Sequence, residues 1–400
     1  MGVEDRWFTT VANGRSCVVR CSPNATHLKA TRYPLTPFRL QLVLAIAGLI
    51  MTAGASNAQE PSIDRLLRKL PQPEKLVGPN MKALPPGDPA ANDPLGQRAI
   101  MHANRGEYRS ATECCRQLEA KYPKSFGTYC VHGLAAWAGL NYRDAAAAFS
   151  KAVAINPNTA FGHYGLALVE SSQGHYAAAL THLQQLARLD PNAAIIYFYM
   201  SETAWMAGRP KESYEYAQKT ASLAPSEWVA WAEVARGASS LGDKAGTVKA
   251  MSRAAEVAPD NPLVVGLLGI SYMNASQFAQ ALPTLQRAQR LDLKQFAVES
   301  EIGHCLVNLG QVDAGIDHIR KGTRKESEYA PGWHYLGLAY QKQGLHQDAA
   351  KSFERATRLA PHWTDPWQNL AKEYQALGRT ADAERAAAHI KRSAAQQKKE

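Results

Sequence analysis

From residue 92 to residue 397, apolar side chains recur in paired stripes with the spacing of a helix face, and short breaks separate the stripes. Within residues 330–363, Trp333, Leu336, Gly337 and Tyr340 fall at i, i+3, i+4 and i+7, on one side of a helix. Ala349, Phe353, Ala356 and Leu359 make the second stripe. Blocks of this pattern begin at Asn92, Phe126, Ala160, Ala194, Trp228, Pro262, Phe296, Ala330 and Thr364, a period of 34 residues kept without insertion or deletion. A period between about 20 and 50 residues marks a stacked-repeat architecture.

Two columns of the blocks are small throughout. The eighth reads Ala99, Gly133, Ala167, Ser201, Ala235, Gly269, Gly303, Gly337 and Ala371. The twentieth reads Ala111, Ala145, Ala179, Ser213, Thr247, Ala281, Gly315, Ala349 and Ala383. Small residues where two helices cross let the axes approach closely, and larger ones a turn away fill the surrounding space. A glycine column, with Gly174 and Gly344 as examples, ends each first helix, because glycine takes the left-handed conformation that closes a helix C-terminus. Prolines such as Pro157 and Pro361 stop the second helix, since the residue before a proline is pushed out of helical geometry. Each block therefore predicts a helical hairpin, and the fold class is all-α.

The order aromatic, Leu-Gly, Tyr, Ala, Phe, Ala, Pro resembles the tetratricopeptide repeat family over residues 92–397. The departures are local. Leu293, Ser327 and Ala395 stand at the closing proline, Leu140 and Ser276 at the turn glycine, and Arg98 and His132 at an apolar position of the first two units. The end units are expected to be worn caps, because terminal repeats keep one face in water. The resemblance implies a right-handed α-solenoid superhelix whose inner wall is a long groove. It also implies that the second, fifth, ninth and twelfth positions of each first helix line that groove. Those positions hold Leu134, Trp137, Phe161, Tyr164, Leu168, Ile195, Phe198, Trp205, Ile270 and Met273, an apolar and aromatic set. The later units carry Ser300, His304, His334, Gln341, Gln368, Lys372 and Gln375 instead. The same columns also touch neighbouring first helices, so packing between repeats competes with a groove role. The carboxylate clamp of chaperone-binding relatives needs Lys and Asn at the fifth and ninth positions. Cys130, Tyr164 and Phe198 with Leu134, Leu168 and Glu202 do not supply it.

Ahead of the repeats, residues 40–51 read LQLVLAIAGLIM, with Arg32 and Arg39 before them and small residues up to Ala58 after them. That order matches a secretory signal within residues 1–58, with cleavage after Ala58. Residues 38–55 read as an uncleaved anchor are the alternative, although the apolar run is short against the roughly 20 residues of a membrane span. Either reading places the rest in the periplasm or cell envelope. Residues 59–91 are rich in proline, which blocks helix propagation, so they read as a tether; residues 398–400 close a short basic tail.

Composition narrows the chemistry. With 46% hydrophobic and 20% charged residues the chain is neither disordered nor of low complexity. The net charge of +10 is diffuse, without a basic patch interleaved with aromatics, so nucleic acid is not an expected partner. No Gly-rich phosphate loop, paired-His helix or Gly-x-Ser-x-Gly elbow appears, so no catalytic residue, cofactor or metal is assigned. Cys114 and Cys115 with Cys130 are the one suggestive cluster: packed thiols on the plain reading, a disulfide to Cys130 on the other. The expected function is a non-catalytic scaffold that binds a peptide or helix of a partner protein. A polysaccharide-export or glycan-associated scaffold and a recruiting subunit of an enzyme complex are the alternatives.

Overall fold

A computed structural model describes residues 7–12, 15–20, 88–90, 93–291 and 298–397. The secretory or anchor stretch 38–55, most of the proline-rich segment 59–91 and residues 398–400 lie outside the described residues. Near the N-terminus, β1 (Trp7–Ala12) and β2 (Arg15–Arg20) pair antiparallel, Trp7 opposite Arg20, where the sequence reading assigned no element.

The repeats form helical hairpins in two compact bodies divided between Pro225 and Ser226. The first holds α1 (Pro94–Asn104), α2 (Tyr108–Lys121), α3 (Phe126–Ala138), α4 (Tyr142–Ile155), α5 (Ala160–Ser172), α6 (Tyr176–Leu189), α7 (Ala194–Met206) and α8 (Pro210–Leu223). The second holds α9 (Trp228–Ser240), α10 (Lys244–Val257), α11 (Pro262–Asn274), α12 (Phe278–Leu291), α13 (Glu299–Asn308), α14 (Val312–Lys325), α15 (Ala330–Lys342), α16 (His346–Leu359), α17 (Thr364–Ala376) and α18 (Thr380–Gln397). Within each body every first helix packs against its own second helix, and that second helix against the next hairpin, which is an α-solenoid arrangement.

The small columns work by volume exchange with the twenty-fourth position. Phe149, Leu183, Met251, Leu285, Ile319 and Phe353 occupy that position and are wholly buried. A Cβ built on Gly133 would meet the Phe149 ring at 2.7 Å, and one on Gly337 would meet Phe353 at 2.5 Å. Gly269 stands against Leu285 and Gly303 against Ile319 in the same way. The two phenylalanines thus sit opposite glycine, while the Ser201 hydroxyl, at the same column, donates to Ser213 O at 2.9 Å.

Another bond ties successive units together. The fourth residue of a unit donates to the carbonyl near the end of the preceding second helix. Tyr129 Oη donates to Pro123 O at 3.1 Å, His163 Nε2 to Pro157 O at 2.9 Å, Trp333 Nε1 to Ser327 O at 2.9 Å and Trp367 Nε1 to Pro361 O at 3.0 Å. Aromatic or imidazole donors at this place both fill space and satisfy a carbonyl left open at a helix end.

The turn column behaves as its glycines suggest, with φ of +71° at Gly344 and +80° at Gly174. Leu140 and Ser276 adopt the same left-handed geometry at φ +60°. The closing bonds are kept at Leu140, where its N–H donates to Trp137 O at 2.9 Å and Asn141 N–H to Ala136 O at 2.9 Å. A Cβ in this region costs about 1–2 kcal/mol, and the Leu140 side chain is 70% exposed, so packing offsets little of that cost. Leu140→Gly is therefore expected to stabilise the first body by about 0.5–1 kcal/mol, read as a higher denaturant midpoint by far-ultraviolet circular dichroism.

Three local features go beyond the sequence reading. Residues 88–90, assigned to the tether, are docked: Asp88 is buried and accepts from Ser125 Oγ at 2.5 Å, Ala90 N at 2.9 Å and Gly127 N at 3.1 Å. Its carboxylate satisfies donors at the start of α3, and a Cβ on Gly127 would fall 2.5 Å from it. In the seventh unit the described first helix begins at Glu299, with Val298 as its N-cap. His132, at an apolar column, is half-buried between Glu119 on α2 and Asp144 on α4; both ring nitrogens find a carboxylate, 3.1 Å away in the case of Asp144.

Candidate partner-binding surface

First helices α3, α5 and α7 carry the aromatic part of the expected groove in the first body. Trp137 on α3, Tyr164 on α5 and Trp205 on α7 are half-buried, as are Leu134 and Phe161. Trp137 Nε1 donates to Ser172 Oγ at 3.1 Å, which fixes its indole against the next unit's first helix. Tyr164 leans on Tyr199 with ring centroids 5.8 Å apart, and Phe198 meets Tyr199 edge-on at 5.9 Å. Leu134, Trp137 and Phe161 also pack on the cluster of Ala145, Phe149, Leu166 and Val169.

The remaining residues of the set are buried: Leu168, Ile195 and Phe198 in the first body, Ile270 and Met273 in the second. Ile270 and Met273 belong to a core cluster with Leu285, Ile302 and Cys305. These five are packing residues, which corrects their placement on an open wall. The column that faces a groove also faces its neighbour, and these apolar side chains take the second role. The partly buried Trp137, Tyr164 and Trp205 are what the surface offers. Positions five and twelve lie seven residues apart on one helix face, so the three project from corresponding sides of successive helices.

In the second body, the polar residues divide. Gln368, Lys372 and Gln375 are exposed, whereas Ser300 and His334 are buried and His304 is half-buried. His304 stacks on Tyr335 at 4.2 Å, and His334 meets Trp363 edge-on at 4.6 Å while Asn369 Nδ2 donates to its Nε2 at 3.1 Å. Burial drops His304 to about 4, with the Lys342 charge adding to it, and His334 to about 3, with His304 adding to it. Both imidazoles are neutral at pH 7.

Neighbouring carboxyls on α13 diverge for a visible reason. Burial raises Glu299, but Lys321 Nζ at 2.6 Å and His318 Nδ1 at 2.9 Å hold it below the usual range. Among the described residues Glu301 faces no cation; burial pushes it up to about 7 although the Tyr329 hydroxyl, donating at 2.5 Å, and its own backbone N–H lower it. Nothing in the columns of the repeat signals this pair.

Among the described residues, Cys114, Cys115, Cys130 and Cys305 are free thiols. Cys115 and Cys130 are buried, and burial pushes each up to about 12, so the thiolate that disulfide exchange needs is scarce. No bridge joins Cys114 or Cys115 to Cys130 in this structure. Cys305 lies in the core. Among the described residues, no helix is long and apolar enough to cross a membrane.

Profiles described as Tetratricopeptide repeat match residues 164–227 and 330–363. The chain is 24% identical over 228 residues to a TPR repeat-containing protein of Methanocaldococcus jannaschii, covering 55% of this chain and 40% of that one. It is 22% identical over 294 residues to human Superkiller complex protein 3, covering 72% of this chain and 17% of that one. It thus spans less than half the length of either relative. Among solved structures, the APC/C hetero-tetramer Cut9-Hcn1 matches at 16% identity and a TM-score of 0.45, over 75% of this chain and 62% of that one. MamA matches at 16% identity and a TM-score of 0.39, over 42% and 93%.

With hairpins of this geometry and the two profile matches, the chain carries tetratricopeptide repeats. Such repeats serve as protein–protein interaction scaffolds.

Proposed function

We propose that the chain is a non-catalytic adaptor of the cell envelope that holds a peptide segment or helix of a partner protein against first helices α3, α5 and α7. The observation that carries this reading is the row Trp137, Tyr164 and Trp205, half-buried aromatics contributed by three successive units. Aromatic residues set in place by packing lose little entropy on binding and dominate interface energetics. The absence of the Lys and Asn clamp favours an apolar ligand over an acidic chain end.

The test is capture from native envelope extract with the wild-type chain and with a Trp137→Ala, Trp205→Ala variant of equal helicity. A protein held by the wild type and lost by the variant is the expected result. The same set captured by both would reject the row as the binding surface, and capture of nothing by either would turn attention to a glycan ligand. The envelope location rests on the pattern of residues 40–51, and N-terminal sequencing of the native chain tests it. A mature start at Gln59 supports cleavage, an intact N-terminus in the membrane fraction supports the anchor, and an intact soluble chain removes the location.

A further inference from the structure

Helices α5 and α6 of the third hairpin bring His163 and His182 together, and the partner-binding reading leaves this pair unused. Their Nδ1 atoms are 3.4 Å apart, with ring centroids at 5.7 Å and planes inclined by 35°. His163 is buried, and its Nε2–H donates to Pro157 O at 2.9 Å, the bond that tyrosine or tryptophan makes at this place in other units. That donation sets the tautomer: Nε2 holds the proton of the neutral ring, and Nδ1 presents a lone pair to His182. Without an ion, His182 Nδ1–H donates to that lone pair.

We propose that His163 and His182 form a binding site for a borderline divalent transition-metal ion, of which Zn2+ is the reference case, and that the ion ties α5 to α6. Metal–nitrogen bonds of about 2.0–2.1 Å meeting at a tetrahedral angle place the nitrogens about 3.3–3.4 Å apart. The observed separation already matches. Each ring needs a pivot to swing its lone pair from the opposite nitrogen onto the ion, and the His182 proton moves from Nδ1 to Nε2 through solvent. Both imidazoles stay neutral, and the exchange releases no net proton. A ligating histidine whose other nitrogen donates to a backbone carbonyl is the usual outer support of a metal site, and Pro157 O supplies it here. Glu170 on α5, whose carboxylate acts electrostatically on His182 and accepts from His175 Nδ1 at 2.9 Å, offsets part of the ion's charge.

Nitrogen ligands select zinc, copper or nickel over magnesium and calcium. Among the described residues no group of three or more His, Cys, Asp or Glu could hold a metal, so water completes the coordination and binding is weaker than at a closed structural site.

The test is calorimetric titration of the chelator-treated full chain with Zn2+, using wild type, His182→Gln and His163→Tyr. Tyrosine keeps a donor for Pro157 O, as Tyr129 has for Pro123 O. One equivalent of zinc is expected for the wild type, at least tenfold weaker in either variant at unchanged helicity. Bound Cu2+ should show a two-nitrogen paramagnetic resonance pattern that His182→Gln reduces to one. Equal uptake by wild type and His182→Gln would overturn the proposal, as would the lack of a saturable equivalent in the wild type. Should His163→Tyr lose helicity, His182→Gln alone decides.

Discussion

Phe353→Ala is expected to destabilise the second body by about 3–5 kcal/mol, the range for removing a wholly buried phenylalanine from a core. The ring fills the space opened by Gly337, whose added Cβ would lie 2.5 Å from it, so truncation leaves a void lined by helix backbone that cannot collapse without moving α15 against α16. The same geometry predicts a reversed sign at the glycine. In an open helix Gly→Ala gains about 1 kcal/mol, whereas Gly337→Ala is expected to lose about 1–3 kcal/mol, because the ring must leave its rotamer or the helices must separate. Adding Phe353→Leu to Gly337→Ala should recover part of that loss. Guanidinium unfolding followed by circular dichroism, with hydrogen exchange resolved to α15 and α16, measures all three. Since repeat arrays couple mainly neighbours, the transition should broaden as well as shift. A Gly337→Ala chain at least as stable as wild type would show that the eighth and twenty-fourth positions do not exchange volume.

The second large effect is a stability maximum on the mildly acidic side of neutrality. Burial raises Glu301 to about 7, and burial also raises Glu326 to about 7. A carboxyl whose folded value lies above its ordinary 4.5 takes up a proton on folding. Its contribution is complete below about 4.5 and is lost as pH rises through about 7. His304 and His334 run the other way. Their folded values of about 4 and about 3 lie below the ordinary 6.5, so their contribution is complete above about 6.5 and is lost as pH falls through 4 and then 3. The second body should therefore be most stable between about pH 4.5 and 6.5. From pH 5.5 to 8.5 it should weaken by about 1 kcal/mol, the loss at Glu301 and Glu326 being partly offset by what His304 and His334 still gain up to about pH 6.5. Glu301→Gln keeps an oxygen to accept from Tyr329 and carries no charge, so it should remove that net loss. Unfolding midpoints of both chains at the two pH values decide the matter, and equal slopes would contradict it.

Much of the fold was legible because the repeat multiplies a weak signal. One small residue at a helix crossing means little, but nine at 34-residue spacing fix the hairpin. Turn positions could also be placed where the glycine was missing: Leu140 and Ser276 were recognised as substitutes and adopt the glycine's left-handed φ. Residues 88–90 were missed because proline density argues for extended chain and says nothing of Asp88 finding the Ser125 hydroxyl and the Gly127 N–H, 37 and 39 positions away.

The surface was legible only in part. Trp137 and Phe198 occupy equivalent kinds of column and are both aromatic, yet one is half-buried and the other wholly buried. Which of them reaches solvent depends on the volumes of residues in the next unit, a pairwise property that a single column does not contain. The His163–His182 pair was hidden for the same reason. His163 replaces the aromatic donor to Pro157 O on one helix while His182 stands on another, and only the hairpin makes them neighbours.

The partner-binding claim is tested most directly by site-specific photo-crosslinking in envelope extract, with the photoreactive residue at Tyr164 on the proposed surface or at Leu189, an exposed position at the end of α6. A single protein partner joined through position 164 and absent from position 189 is the predicted result. A partner joined through position 189 alone would place recognition on a different face and contradict the account.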